Sequence, residues 1–525
     1  MTYDVIFINS GPLPNNKVRG LGPHLLADEV RQHGYSAIVL DFIEYWNIYE
    51  FKSVLDKVIG HNTKAVAFST TWVSVGSGSE DIIEKDFHGA FSNDVYIGHY
   101  LTNDKFNWML DEFKKRKNDI TVIAGGSKAP GIDDILGPRV DHIICGYGET
   151  QFVDLIKEPE KYGRFINHDT KAHAEHTFYD FAKSRATFTP NTFLTPDEIV
   201  PMECSRGCRF KCKFCSFPLI GMKDVASYIK TKEAFRDELV SNYENFGIQK
   251  YSFQDDTFND TTEKVRHFAE VVDSLPFKIY FWCYLRADLL VTHPEQIELL
   301  HQMGLVHTWF GIETYNHKAG RFVGKGLDPD RIKEMLYKAK EVWKGDVFVQ
   351  QGYIVGLPFE DSKSVVSNAE WLASKDCPVD NTLFIPLYIT PKEVREKRVI
   401  NYTSEFDRNY HLYGYYFEDP NNENLLESMK WKKDDDTDIS SFDIAQKISH
   451  KLNPWVESKE PKYELKASLF DTSRPYSEFS NYEKLRNITK QEYDDLVNSL
   501  PTMGDTESFI ERLRETYIEP LIQSL

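Results

Sequence analysis

The strongest constraint on this chain is a rhythm. Short apolar runs alternate with amphipathic, helix-spaced stretches, first over residues 1–165 and again over residues 196–400. In the first block the runs are DVIFINSG, SAIVLD, KAVAFSTTW, ITVIAGGS and VDHIICGYGE. Strand-length runs with no polar alternation are those buried on both faces, as in parallel sheets joined by helical crossovers. The first block is therefore expected to be a doubly wound α/β sheet. The second block repeats the pattern with PDEIVPMEC, KYSFQDDTF, KIYFWCYLRADLL, HTWFGIETYN, DVFVQQGYIVGLP and NTLFIPLYITP. That makes about six strands, short of the eight in a full βα barrel. Residues 166–195 read as a linker, and from residue 401 the rhythm stops in a mostly helical C-terminal region. The tyrosines of HLYGYYFEDP are expected to pack in a core, with the lining of a substrate cleft as the alternative.

Composition supports packed cores: 41% of residues are hydrophobic and 14% aromatic. No apolar run approaches the roughly 20 residues that span a bilayer. The start, MTYDVIFINSG, lacks the basic segment and small-residue cleavage site of a secretory signal. A cytoplasmic protein without membrane insertion is expected. A net charge of −19 argues against a nucleic-acid partner, which normally needs a basic patch.

Four of the seven cysteines lie in twelve positions, CSRGCRFKCKFC, residues 204–215. Cys145, Cys283 and Cys377 are scattered, so metal is a better reading of the cluster than a disulfide framework. Zinc favours a closed tetrahedron, commonly two C-x2-4-C pairs separated by a longer loop. Here the thiols are contiguous, with one C-x2-C. An iron–sulfur cluster bound by all four would be a closed electron-transfer centre. One bound by Cys208, Cys212 and Cys215 alone would leave an iron open, as a reactive site requires.

Cys208-Arg209-Phe210-Lys211-Cys212-Lys213-Phe214-Cys215 resembles the signature of radical S-adenosylmethionine (SAM) enzymes, and Ser205-Arg206-Gly207 fits the cobalamin-linked branch. The resemblance implies a [4Fe-4S] cluster on Cys208, Cys212 and Cys215 whose open iron chelates SAM and cleaves it reductively to a 5′-deoxyadenosyl radical. It implies a partial (β/α)6 barrel, in which working residues occupy the carboxyl ends of strands. It counts Phe214, the aromatic before the last cysteine, among the SAM contacts and places one of Asp255 and Asp256, with Asp256 preferred, near the SAM amino group; a helix cap is the alternative for both. Arg286 would capture the SAM carboxylate or stand in a surface ion pair. Glu313, in GIETYN, would hydrogen-bond the ribose, and Gly352 and Gly356 would pack beside adenine. Cys204 is extra and reads as a small buried residue.

The first block lacks G-x-G-x-x-G after its first strand, which weakens a dinucleotide reading. Its order, with GG after one strand and GYGE after the next, resembles the Rossmann-like cobalamin-binding domain that precedes many radical SAM enzymes. Ser69, Thr70, Gly125 and Gly126 would contact the nucleotide tail, and Gly146, Gly148 and Glu149 would close the pocket. The D-x-H-x-x-G loop that supplies an axial histidine is absent; Asp86-Phe87-His88 is a partial echo on the wrong strand. His24 opens a helix and reads as a surface or capping residue. Trp72 could cover the lower face of the cofactor, with a core role as the alternative.

What the resemblance implies is a cobalamin-dependent radical SAM enzyme, with methylation of an unactivated carbon favoured over cyclisation or oxidation. The substrate would be a small molecule or peptide, and the electron would come from an external donor such as flavodoxin or ferredoxin. A tRNA methylthiotransferase fits less well, because only Cys145 lies in the N-terminal region where that relative needs a cysteine trio. Two alternatives remain: a cobalamin-independent radical SAM enzyme with a vestigial first domain, and a zinc-stapled binding protein without catalysis.

Overall fold

The computed structural model describes residues 1–9, 18–69, 74–75, 100–101, 103–126, 137–166, 180–196, 198–217, 220–221, 228–326, 328–344, 347–397, 403–457 and 512–525. Two six-stranded parallel sheets dominate it; the second has the six strands its block implies, whereas the first adds a two-residue edge strand, Phe165–Ile166, to the five runs read there.

The first sheet comprises β1 (Val5–Ile8), β2 (Ala37–Leu40), β3 (Ala65–Ser69), β4 (Thr121–Gly126), β5 (His142–Cys145) and β6 (Phe165–Ile166). The spatial order is β2-β1-β3-β4-β5-β6. Its helices are α1 (Leu21–Gln32), α2 (Ile48–Val58), α3 (Asn103–Arg116) and α4 (Glu149–Lys157). On one face Phe7 packs with Ala27 and Val30 of α1 and Phe152 of α4. On the other, Phe51 and Leu55 of α2 meet Met109 and Phe113 of α3. Each strand residue therefore loses water on both sides, which is why β1, β2 and β5 read as unbroken apolar runs. Where α2 starts, Asn47 accepts the Glu50 backbone N–H at 2.9 Å and Glu50 accepts that of Asn47 at 2.8 Å. This reciprocal cap satisfies two otherwise orphaned donors. The chain leaves β1 for β2 on one side and returns to β3 on the other, and such a reversal opens a crevice beyond the strands' carboxyl ends.

The last described residues return to this sheet. Leu513, Tyr517, Ile518 and Leu521 join the core formed by α2 and α3, and the Tyr517 hydroxyl oxygen accepts the Asp41 backbone N–H at 2.9 Å. His24 departs from expectation: only 1% of it is exposed, and Nε2 lies 3.0 Å from the Asp41 carboxylate. The buried charge of Asp41, also paired with Arg19 at 2.6 Å, draws the imidazole inward.

The second sheet runs in sequence order through β7 (Ile199–Met202), β8 (Lys250–Phe253), β9 (Tyr280–Leu285), β10 (Leu305–Glu313), β11 (Phe348–Val355) and β12 (Asn381–Pro386). β7 and β12 are edges, so the barrel is open. Helical crossovers include α5 (Lys232–Phe246), α6 (Thr262–Asp273), α7 (Pro329–Val342) and α8 (Ser362–Leu372). Side chains of Thr231, Thr261, Asp328 and Asp361 cap their first turns. A further helix, α9 (Phe442–Glu457), closes the free edge of β12: Asn453 accepts the Phe384 N–H at 2.7 Å and donates to its carbonyl at 3.0 Å. One side-chain amide thus stands in for a neighbouring strand at an edge that would otherwise be open.

A short hairpin, Tyr415–Phe417 against Trp431–Lys433, seals the same region. Tyr415 is buried and donates to the Gly356 carbonyl at 2.7 Å, which puts this tyrosine in the core, whereas Tyr416 remains exposed. Gly356 has φ +100°, and a Cβ there would meet the Trp431 ring at 2.8 Å. Backbone conformation and space both exclude a side chain. Gly356→Ala is expected to cost about 2–4 kcal/mol from strain and overpacking, read as a lower thermal unfolding temperature.

Candidate functional site

The cysteine loop follows β7 and is fixed at its start from beneath. The Asp255 carboxylate accepts the backbone N–H groups of Cys204 at 2.8 Å and Ser205 at 3.0 Å, and also the Ser205 hydroxyl. Lys264 lies 3.1 Å behind it, and both side chains are fully buried. Asp255 is thus consumed in holding the loop, whereas its neighbour Asp256 lines a cavity. Burial, reinforced by Glu203 and Asp255, pushes the Asp256 carboxyl up to about 7.

Cys204 is fully buried in the barrel core, and burial raises its thiol well above the ordinary range. The other three differ. Cys208 lies 3.5 Å from the Thr257 hydroxyl, and Cys212 accepts a hydrogen bond from Arg286 Nη1 at 3.1 Å. Cys215 is the most open of the loop's four cysteines. Its thiol is pushed up to about 12 by burial first and then by Cys212, Asp256 and Cys208, so these groups feel one another. Among the described residues no three His, Cys, Asp or Glu side chains are closed around a single-ion site. With Cys204 in the hydrophobic core cluster, the loop offers Cys208, Cys212 and Cys215 as soft donors, one short of the closed tetrahedron that zinc prefers. Three soft sulfurs on one contiguous loop suit an iron–sulfur cube, which is wider than a single ion.

Around the loop stand the other residues singled out from sequence. Arg286, just past β9, forks onto Asp288 at 3.0 and 2.6 Å, donates to the Gly324 carbonyl at 3.1 Å and stacks on Phe210 at 3.8 Å. Bidentate capture of a carboxylate would require it to leave Asp288. Glu313 ends β10 at φ 69°, beside a register irregularity. Such left-handed backbone is rare outside glycine and is often held at working sites. Burial raises the Glu313 carboxyl, and Lys325, 3.5 Å away, opposes the rise. Lys325 also sits 5.7 Å from the Phe214 ring, so it ties Glu313 to the cysteine loop. A Cβ on Gly352 would touch Glu313 and the Trp309 indole at 3.4 Å. Gly352 therefore faces this group, whereas Gly356 faces Trp431 on the other side.

The first sheet contributes separately. Ser69, Gly125, Gly126, Gly146, Gly148 and Glu149, all at the carboxyl ends of β3, β4 and β5, border one cavity of about 540 Å³. Gly126 has φ +120° and Gly146 φ +83°, conformations that glycine adopts without cost. Thr70, Trp72 and His88 lie outside the described residues. The opposite wall comes from the barrel: Pro201, Glu203, Arg206, Gln254, Asp256, Trp282 and Tyr284. The cavity is thus the crevice of one sheet facing the mouth of the other. Its glycine-lined wall is open to a flat or bulky group, which suits the cofactor inferred for this domain.

Arg206 joins the two walls. It meets Glu149 at 2.8 Å and Glu203 at 2.8 Å, and stacks over Tyr147 at 4.1 Å. Both carboxylates hold the guanidinium charged, well above its ordinary range despite burial. Sequence reasoning quoted Arg206 within its motif but missed this role, because its partner Glu149 is distant in the chain. Lys325, Trp282 and Tyr284 were also missed; the period-2 placement of Trp282 and Tyr284 on one face of β9 was the available signal.

Residues 202–372 match the model of the Radical SAM superfamily, a domain that implies a [4Fe-4S] cluster and SAM. A Pyrococcus horikoshii protein named as an uncharacterized methyltransferase is 27% identical over 287 residues, 50% of this chain and 60% of that protein. The match therefore covers less than two thirds of that relative. Among solved structures, the radical SAM methyltransferase TsrM from Kitasatospora setae, with cobalamin and a [4Fe-4S] cluster bound, is similar at TM-score 0.51 and 14% identity. That likeness covers 74% of this chain and 73% of TsrM. The cobalamin-dependent SAM radical enzyme OxsB, with aqua-cobalamin bound, is similar at TM-score 0.53 and 13% identity, over 99% of this chain and 72% of OxsB. Among the described residues no helix is long and apolar enough to cross a membrane. Residues 202–372 thus carry the Radical SAM superfamily match, in a fold similar to that of the solved cobalamin-dependent radical SAM enzymes.

Proposed function

We propose that this protein is a cobalamin-dependent radical SAM enzyme that methylates an unactivated carbon of a small-molecule substrate. The observation that carries the reading is the cavity in which Gly125, Gly126, Gly146 and Gly148 face Asp256, Trp282 and Tyr284. In this reading residues 1–165 hold cobalamin, residues 166–195 link, residues 196–400 form the radical SAM barrel and residues 401–525 close it. When bound, the cluster would supply the electron that cleaves SAM and cobalamin would supply the methyl group.

The chain's own residues position and shield. Cys208, Cys212 and Cys215 hold the cluster, and the Arg286 N–H group bonded to Cys212 offsets negative charge at that sulfur. Glu313, with Lys325 beside it, and Gly352 form the surface against which the SAM nucleoside lies. Asp256 faces the SAM amino group. The glycines that end β4 and follow β5, with Ser69, admit the nucleotide tail of cobalamin, and Glu149 anchors the pocket through Arg206; Thr70, next to Ser69 in sequence, is assigned the same role. An external one-electron donor such as flavodoxin or ferredoxin completes the scheme.

The test is anaerobic. Protein reconstituted with iron and sulfide, then given SAM and a strong reductant, is expected to release 5′-deoxyadenosine. Protein loaded with hydroxocobalamin is expected to carry the pigment through gel filtration. No deoxyadenosine sinks the radical assignment, and a colourless protein peak moves the reading to cobalamin-independent chemistry.

A further inference from the structure

On β9 the side chains alternate between two fates. Phe281, Cys283 and Leu285 enter the barrel core, whereas Trp282 and Tyr284 line the cavity. Register places Trp282 beside His307 and Tyr284 beside Trp309 on β10. The rings follow that register, with Trp282 stacked on His307 at 5.6 Å and set edge-on to Tyr284 at 5.1 Å. His307 is itself held by Gln350 at 2.7 Å, so the aromatic floor is braced from behind. Tyr284 leaves 40% of its surface open and lines the recess. Phe217, 53% exposed, contributes a third ring to the same cavity.

One atom on this floor is unsatisfied. Trp282 is 9% exposed, and its indole Nε1 is a buried donor with no hydrogen-bond partner. Among the described residues it is the orphaned buried side-chain atom whose residue borders this cavity. Finished folds leave few such donors, and one on a residue that lines a recess calls for an acceptor. The charges select further. Arg206 is engaged by Glu149 and Glu203, and Arg19 by Asp41 and Glu198, while Asp256 adds another carboxyl. An anionic acceptor is disfavoured there.

We propose that Trp282, Tyr284 and Phe217 form the substrate seat, for a flat, uncharged aromatic compound whose carbonyl-type acceptor takes the Trp282 N–H. The assignment of the ligand as substrate rests on the radical SAM reading above; the seat itself rests on the rings and the orphaned donor. A flat ring suits the offset and edge-on contacts that such side chains prefer.

The test uses the full chain reconstituted with cluster and hydroxocobalamin, with benzamide as probe and equilibrium dialysis as readout. Benzamide is expected to bind at least about tenfold tighter than cyclohexanecarboxamide, which lacks the flat ring, or benzoate, which carries charge. Trp282→Phe keeps a ring and removes the donor. It is expected to weaken benzamide about tenfold, the loss of one hydrogen bond, and to leave toluene binding unchanged. Equal weakening of benzamide and toluene overturns the proposal in favour of a packing role. Weakened hydroxocobalamin retention with unchanged benzamide binding overturns it by giving the donor to the cofactor. Iron and cobalamin contents are read on the same samples. A Trp282-dependent benzamide site in protein that holds neither cofactor would keep the seat and overturn the radical reading.

Discussion

Alanine at Cys208, Cys212 or Cys215 is expected to remove the cluster and to lower 5′-deoxyadenosine formation by more than about a hundredfold, whereas Cys204→Ala leaves both intact. The contrast follows from placement. Each of the three is a thiol on one contiguous loop, and losing any one leaves two protein ligands for a cube that needs three to keep its reactive corner defined. Cys204 lies fully buried in apolar surroundings and touches that loop through its backbone, which Asp255 holds. Its replacement removes a small buried group, so a modest stability cost of about 1 kcal/mol is expected instead. Iron and sulfide content after anaerobic purification, visible absorbance and deoxyadenosine yield report the outcome together. Cluster retention by Cys212→Ala, or cluster loss by Cys204→Ala, would overturn the ligand assignment.

The parts of this molecule that were legible in sequence share a physical property: they are local. Parallel strands lose water on both faces, so each appears as a short unbroken apolar run wherever it sits in the fold. The cysteine loop is contiguous, so its spacing stands in the sequence without reference to any distant residue. The glycines after β4 and β5 mark close approach without reference to any partner. Gly125, Gly126, Gly146 and Gly148 stand along one crevice edge, at strand ends that local pattern marks, whereas nothing local marks the barrel residues across from them.

What was not legible depends on pairs distant in the chain. His24 opens a helix and looked exposed; its partner Asp41 lies on the far side of β2, and Asp41 is itself pinned by Arg19 and by Tyr517 near the last residue. At Gly356, Trp431 of the tail hairpin occupies the space a side chain would need, a contact across the chain that the local G-x-I-x-G pattern does not convey. Arg286 offers a subtler case. Both of its readings, ion pair and carboxylate capture, were visible, and the local Asp288 fills the fork. The cysteine it also touches, Cys212, is a contact that no spacing rule conveys.

Arg206 is where such distant pairing has the largest expected consequence. Its guanidinium is 9% exposed and sits between Glu149 of the first sheet and Glu203 of the barrel, whose side chains are 7% and 14% exposed. Burying these three charges is tolerable only while the shared cation offsets the two carboxylates, and deleting it leaves both desolvated together. Arg206→Met keeps much of the stem that packs near Tyr147 and Phe181 but removes the charge. It is expected to destabilise the protein by about 3–5 kcal/mol and to loosen the contact between the two walls of the cavity. The readouts are the thermal unfolding midpoint, protease sensitivity between residues 150 and 200, and retention of hydroxocobalamin on gel filtration. Neutralising the abandoned carboxylates separates charge from packing. If unpaired charge is the cause, Glu149→Gln with Glu203→Gln in the Arg206→Met background recovers most of the loss, a non-additivity expected for residues in one ionic network. If the triple variant is as unstable as Arg206→Met alone, the lost stacking of the guanidinium on Tyr147 is the cause, and the ion pairs contribute little to holding the two sheets together.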